Sequence, residues 1–66
     1  MKVKLINVGR NNVNKTVEVK DVSALRREVS KYVLSRGWDF EETDNPAIFN
    51  VVAGWNTVGQ VEIIQS

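Results

Sequence analysis

Asp39-Phe40-Glu41-Glu42-Thr43-Asp44-Asn45-Pro46 is the stretch that divides the helical pattern of this chain from the strand patterns after it. It places four carboxylates within six residues and closes on an asparagine and a proline. Proline lacks a backbone N–H and restricts the residue before it, so regular structure stops there. The stretch therefore reads as an irregular acidic connection. It does not read as a calcium loop, which needs a regular ladder of oxygen ligands, a glycine at a set position and a closing glutamate. Nor does it offer the pocket that holds two carboxyls at different pKa values for acid–base work. Three readings stay open: a solvated loop, an acidic docking surface, or a counter-charge to basic residues elsewhere.

Upstream of it, Val22, Leu25, Val29, Tyr32 and Val33 recur at helical spacing, and the predicted helix spans residues 22 to 36. Asp21 suits the N-cap, Gly37 suits the C′ position, and Trp38 is expected to fold back on the last turn. Further upstream, Val3 and Leu5 alternate with Lys2, Lys4 and Ile6, the period of a strand with one buried face. Asn7 would continue the inward set, but the alternation blurs at Ile6 and Val8, which calls for a bulge or a second covered face. Gly9-Arg10-Asn11-Asn12 is a turn cluster. A second strand follows with Val17 and Val19 inward and Thr16, Glu18 and Lys20 outward, completing a hairpin in which Lys4 is expected to face Glu18.

Downstream, Ile48, Phe49, Val51 and Val52 predict a third strand, Ala53-Gly54-Trp55-Asn56-Thr57 a turn, and Val58 to Ile64 a fourth strand. Val61 and Ile63 fall on one face of that last strand and Gln60, Glu62 and Ile64 on the other, with Gly59 a candidate bulge. The expected fold is α+β, one domain over residues 1–66: a single helix on one face of a four-stranded mixed sheet, in the order ββαββ. The opening Met1-Lys2-Val3-Lys4-Leu5-Ile6, then Val17-Glu18-Val19, then Val22-Ser23-Ala24-Leu25-Arg26-Arg27-Glu28-Val29 resembles the ubiquitin-like β-grasp domains. The helical stretch is similar to the first helix of their small sulfur carriers. That resemblance implies first and last strands lying side by side and parallel. It does not bring carrier chemistry, because those carriers end in a reactive glycine pair and this chain ends Ile63-Ile64-Gln65-Ser66.

Charge is divided along the chain. All nine lysines and arginines fall within the first 36 residues against three acids, giving +6, and the remainder carries five acids and no base. There is no cysteine and no histidine, so thiolate and imidazole ligands and the commonest general base are absent from the chain. Ser23, Ser30 and Ser35 lack a histidine to activate them, and no glycine-rich phosphate loop precedes the helix. These absences lead to the expectation of a non-enzyme without cofactor or metal. No apolar run approaches a membrane span, and the basic-then-apolar start is too short for a signal peptide, so a cytoplasmic protein is expected.

Candidate binding residues follow from exposure and charge. Trp55 with Asn56 sits in a turn, where a tryptophan either anchors an interface or folds over the end of a small core. Ile64 falls on the outward face of the last strand. Arg26, Arg27 and Lys31 make a basic helix strip that either steers a partner or is an ordinary solvated face. Together these predict a protein-interaction module. The alternative is nucleic-acid binding through Lys2, Lys4, Arg10, Lys15, Arg26, Arg27 and Lys31, although the net charge of +1 and the sparse exposed aromatics fall short of the usual footprint. Self-assembly is a third reading, by attraction of the two charged halves or by pairing of edge strands into a homodimer. In size, in lacking cysteine and histidine, and in its divided charge, the chain resembles the small early proteins with which bacteriophages redirect host machinery; that resemblance implies a modulator that binds and interferes with a host protein.

Overall fold

The computed structural model describes residues 1–65, and in it the first part of the acidic stretch is a strand. The elements run β1 (Lys2–Val8), β2 (Val13–Glu18), α1 (Val22–Ser30), β3 (Trp38–Glu42), β4 (Ile48–Ala53) and β5 (Asn56–Gln65). One five-stranded sheet results, in the order β2-β1-β5-β4-β3, with every neighbouring pair antiparallel. The expectation of a four-stranded mixed sheet in the order ββαββ is therefore corrected. Trp38 and Phe40 alternate with Asp39 and Glu41, so β3 buries its aromatics against the core and turns its acids outward. Charged residues on a short edge strand also discourage further strand pairing. The Phe40 N–H is taken by the Asp39 carboxylate at 2.8 Å, which occupies one edge donor.

The β-grasp expectation fails at the same level. First and last strands do lie side by side, but Val3 pairs with Ile63 and Leu5 with Val61 in an antiparallel ladder. Three consecutive strands, β3 to β5, form a meander that brings β5 back beside β1 in the opposite direction. Ser66, the last residue of the run that departs from the sulfur carriers, lies outside the described residues.

The helix is shorter than its periodicity implied. Asp21 caps it as expected, accepting from the Ala24 N–H at 2.8 Å, but it ends at Ser30 and not at Arg36. Its last turn tightens, with the Lys31 N–H on the Glu28 carbonyl and the Tyr32 N–H on that of Val29. Serine, tyrosine and valine are poor helix formers and crowd this end of the pattern. Gly9 then approaches the chain at Tyr32 so closely that a Cβ on it would stand 2.1 Å from the Tyr32 carbonyl oxygen. Gly37 consequently caps nothing, and Trp38 opens β3. Leu25 and Val29 are buried, whereas Val22, expected inward, is 56% exposed.

The core lies between this helix and one face of the sheet: Val3, Leu5, Val8, Val19, Leu25, Val29, Val33, Val51 and Val61 are buried, with Phe40, Phe49 and Ile63 packed around them. A bulge in β1 explains the blurred alternation there. The register shifts between Leu5 and Val8, Asn7 adopts a positive φ, and Val8 is turned inward where strict alternation would put Asn7. Asn14 pins the bulge by exchanging hydrogen bonds with Asn7, at 3.1 Å to its N–H and 3.0 Å to its side-chain oxygen. A second shift, between Val51 and Val52 opposite Val58, places a bulge beside Gly59 as expected. The hairpin register moves Lys2, not Lys4, opposite Glu18, and Lys4 faces Thr16. The β4–β5 turn contracts to Gly54-Trp55, between the paired Ala53 and Asn56.

Candidate functional site

Strand directions sort the loops into two ends. The β1–β2 turn, the segment after α1 and the β4–β5 turn lie at one end; the β3–β4 loop, the chain start and the end of β5 lie at the other. At the first end, Gly9, Arg10, Leu34, Ala53 and Thr57 help line an open cleft of ≈ 810 Å³. Trp55 stands at the tip of the hairpin whose base supplies Ala53 and Thr57. It is fully exposed, and Leu34 is 83% exposed. The two-residue turn accounts for the indole's position: Gly54 takes a positive φ of 64°, and nothing lies within 4 Å of where its Cβ would be, so the tip projects clear of the core.

The segments making this end, residues 9–12, 31–36 and 54–55, contain Arg10, Lys31 and Arg36 and no carboxylate. Lys31 donates to Glu28 at 2.8 Å, whereas Arg10 and Arg36 enter no ion pair among the described residues. A fully exposed tryptophan, an exposed leucine and two uncommitted arginines share this end of the molecule, and tryptophan and arginine are the residues enriched at interface hot spots.

The other expected site residues do not join this surface. Ile64 is 51% exposed but lies at the far end of β5, nine residues along from Trp55. At roughly 3.3 Å per residue that separation is ~30 Å, the whole length of a molecule that extends 28 Å. Asn56 remains beside Trp55. Arg26 is drawn into the structure: it pairs with Asp39, and its guanidinium lies 5.6 Å from the Trp38 ring centre and 5.4 Å from that of Phe40. Arg27 is exposed on the helix and enters no ion pair among the described residues.

The basic hairpin is likewise divided. Lys2 and Lys4 are exposed on the sheet face away from the helix, Arg10 sits in the turn, and Lys15 shares the helix-side face with Leu5. There Lys15 donates to the Tyr32 hydroxyl at 2.8 Å and lies 3.6 Å from Glu28. These bonds shift titrations without burying charge. The Tyr32 hydroxyl, helped by Glu28, holds the Lys15 ammonium above its ordinary pKa. Lys31 first and Lys15 second hold Glu28 below the usual carboxylate range. Asp39 is lowered by the Phe40 N–H first and by Arg26 second. Of the seven residues expected to bind nucleic acid, Lys15, Arg26 and Lys31 are thus engaged in ion pairs within the fold.

Leu34 and Arg36 are the surface residues that the periodicity concealed. Both fell inside the predicted helix, although at about 3.6 residues per turn Leu34 falls on the far side from the stripe centred on Leu25 and Val29. Among the described residues no helix is long and apolar enough to cross a membrane, and no group of acidic side chains is arranged to hold a metal ion. Comparisons with protein-family models, curated proteins and solved structures give no match for this chain.

Proposed function

We propose that this protein is a non-catalytic, cytoplasmic protein-interaction module whose anchor is Trp55. The observation that carries the reading is the full exposure of that indole on a two-residue turn closed by the pairing of Ala53 with Asn56. An exposed tryptophan contributes little to folding, and its transfer into a partner's pocket removes a large apolar surface from water. Exposed Leu34 extends the apolar contact, Asn56 beside the indole supplies hydrogen bonds, and Arg10 and Arg36, at the same end of the molecule, meet acidic groups on the partner. Such a rim affects the rate and specificity of encounter more than affinity. The basic residues of the nucleic-acid alternative lie on both sheet faces and in a turn, and this dispersal weakens that reading.

The test is affinity capture with tagged wild-type protein and with Trp55→Ala, each checked for folding by circular dichroism and each run with and without nuclease. The expected result is a protein retained by the wild type after nuclease treatment and lost from the variant. Equal retention by both would reject Trp55 as the anchor. Retention of nucleic acid alone would transfer the function to the lysines and arginines.

A further inference from the structure

The end of the molecule opposite Trp55 carries a second cavity. It is ≈ 220 Å³ in volume, the scale of one large side chain, and its lining mixes Pro46, Ile48 and Phe49 with Glu42, Thr43, Asp44 and Asn45. Its wall is held in shape by a dense local set of hydrogen bonds. The Thr43 hydroxyl lies 2.8 Å from the Ile48 carbonyl and accepts from the Asn45 N–H, the Asn45 side chain accepts from the Ala47 N–H, and the Ile48 N–H donates to the Asn45 carbonyl. Like Arg10 and Arg36, Glu42 and Asp44 enter no ion pair among the described residues. The two uncommitted sets sit at opposite ends of a 28 Å molecule. That is several Debye lengths at ordinary ionic strength, about 8 Å each, so within one chain they do not neutralise each other.

We propose that Trp55 of one copy docks in this acidic-rimmed pocket of a second copy, with Arg10 and Arg36 facing Glu42 and Asp44 across the contact. The indole meets Pro46, Ile48 and Phe49, its N–H faces the polar wall of Thr43 and Asn45, and basic rim meets acidic rim, so the two ends are complementary in charge. This rests on the reading of Trp55 as a binding anchor and makes the partner the chain itself. Because donor and acceptor lie at opposite ends, the contact is heterologous. It propagates head to tail and does not close on a two-fold axis. A contact of one indole and a few exposed charges is small, so association is weak, rises with concentration and falls with salt.

The test is sedimentation velocity on three proteins: wild type, Trp55→Ala, which keeps its pocket, and Glu42→Lys/Asp44→Lys, which keeps its tryptophan. The mean mass of the wild type is expected to rise with concentration in low salt and to fall back in moderate salt. Each variant alone is expected to remain monomeric. An equimolar mixture of the two is expected to give a species of twice the monomer mass and nothing larger, because only one productive contact remains. Asp44→Lys alone substitutes for the double variant if the latter loses its circular dichroism signal. A wild type that stays monomeric, a Trp55→Ala protein that associates like wild type, or a mixture without dimer would each overturn the proposal. A monomeric wild type that still captures another protein through Trp55 would overturn self-docking alone and leave the interaction reading in place.

Discussion

Two tryptophans, each preceded by glycine and followed by an Asp or Asn, meet opposite fates in this protein. Trp38 in Gly37-Trp38-Asp39 is half-buried: Phe40 packs edge-on against it at 5.1 Å between ring centres, and Arg26 lies over its ring. Trp55 in Gly54-Trp55-Asn56 packs on nothing within its own chain. The difference lies in the backbone each occupies. Trp38 sits on a strand whose register places it opposite Ala53 on the core side, while Trp55 sits in a turn that carries it past the end of the sheet. A local sequence pattern therefore does not assign a role to an aromatic residue; pairing partners do. In this fold one tryptophan packs on the edge of the sheet, and the other is left in solvent.

The sharpest way to break this comparison is to truncate each ring. Trp38→Ala should cost about 2–3 kcal/mol, somewhat below the range for a fully buried aromatic, and lower the melting temperature by roughly 10–20 °C in a domain this small. Trp55→Ala should shift stability by less than about 0.5 kcal/mol. Thermal unfolding followed by circular dichroism measures both, and comparable losses would show that the tip is part of the core.

Two glycines extend the contrast between packed and open positions. Gly9→Ala drives a Cβ into the Tyr32 carbonyl at a positive φ of 77°, so a loss of about 2 kcal/mol or more is expected. Gly54→Ala meets open space and pays only for the left-handed backbone, about 1 kcal/mol. Urea denaturation ranks the two.

Smaller effects separate the arginines. Arg26→Ala removes the Asp39 pair and the contacts with two rings, and should cost under about 1 kcal/mol because the pair is exposed. Arg10→Ala and Arg36→Ala should leave stability unchanged while slowing association with an acidic surface, as read by stopped-flow mixing.

The smallest expected effect is on pH dependence. Asp39 and Glu28 have lowered folded-state pKa values, so the stability they contribute is present above the ordinary carboxylate pKa of about 4 and is lost as pH falls through the folded values. Lys15 is raised, so its contribution holds below about pH 10 and fades above it. Melting temperatures across the acid range should fall less steeply in Asp39→Asn than in wild type.

Much of the architecture was legible in the residues. The N-terminal hairpin, the Asp21 cap and the inward set Val3, Leu5, Leu25, Val29 and Val61 all follow from period and cap chemistry. Strand β3 was hidden by its own acids: four carboxylates in six residues outweighed the period-two alternation of Trp38 and Phe40, although charge is what an edge strand carries. The helix was overextended because Tyr32 and Val33 keep helical spacing while the backbone is already leaving the helix toward Gly9. Antiparallel pairing of β1 with β5 depends on the meander, so missing one strand also reversed the inferred direction of the last. For the site, the turn around Trp55 was visible, but its exposure was not, since exposure depends on how tightly Ala53 and Asn56 pair. The division of the basic residues between two faces required the register of β1 on β2.

The central claim, that Trp38 belongs to the fold and Trp55 to a partner, is tested most directly by fluorescence of two single-tryptophan proteins, Trp38→Phe and Trp55→Phe, with iodide quenching at low protein concentration. The expected result is red-shifted emission with quenching close to that of free indole for the protein retaining Trp55, and blue-shifted, partly shielded emission for the protein retaining Trp38. A blue-shifted, protected Trp55 in the dilute monomer would contradict the account, because the residue would then be spending its surface on folding.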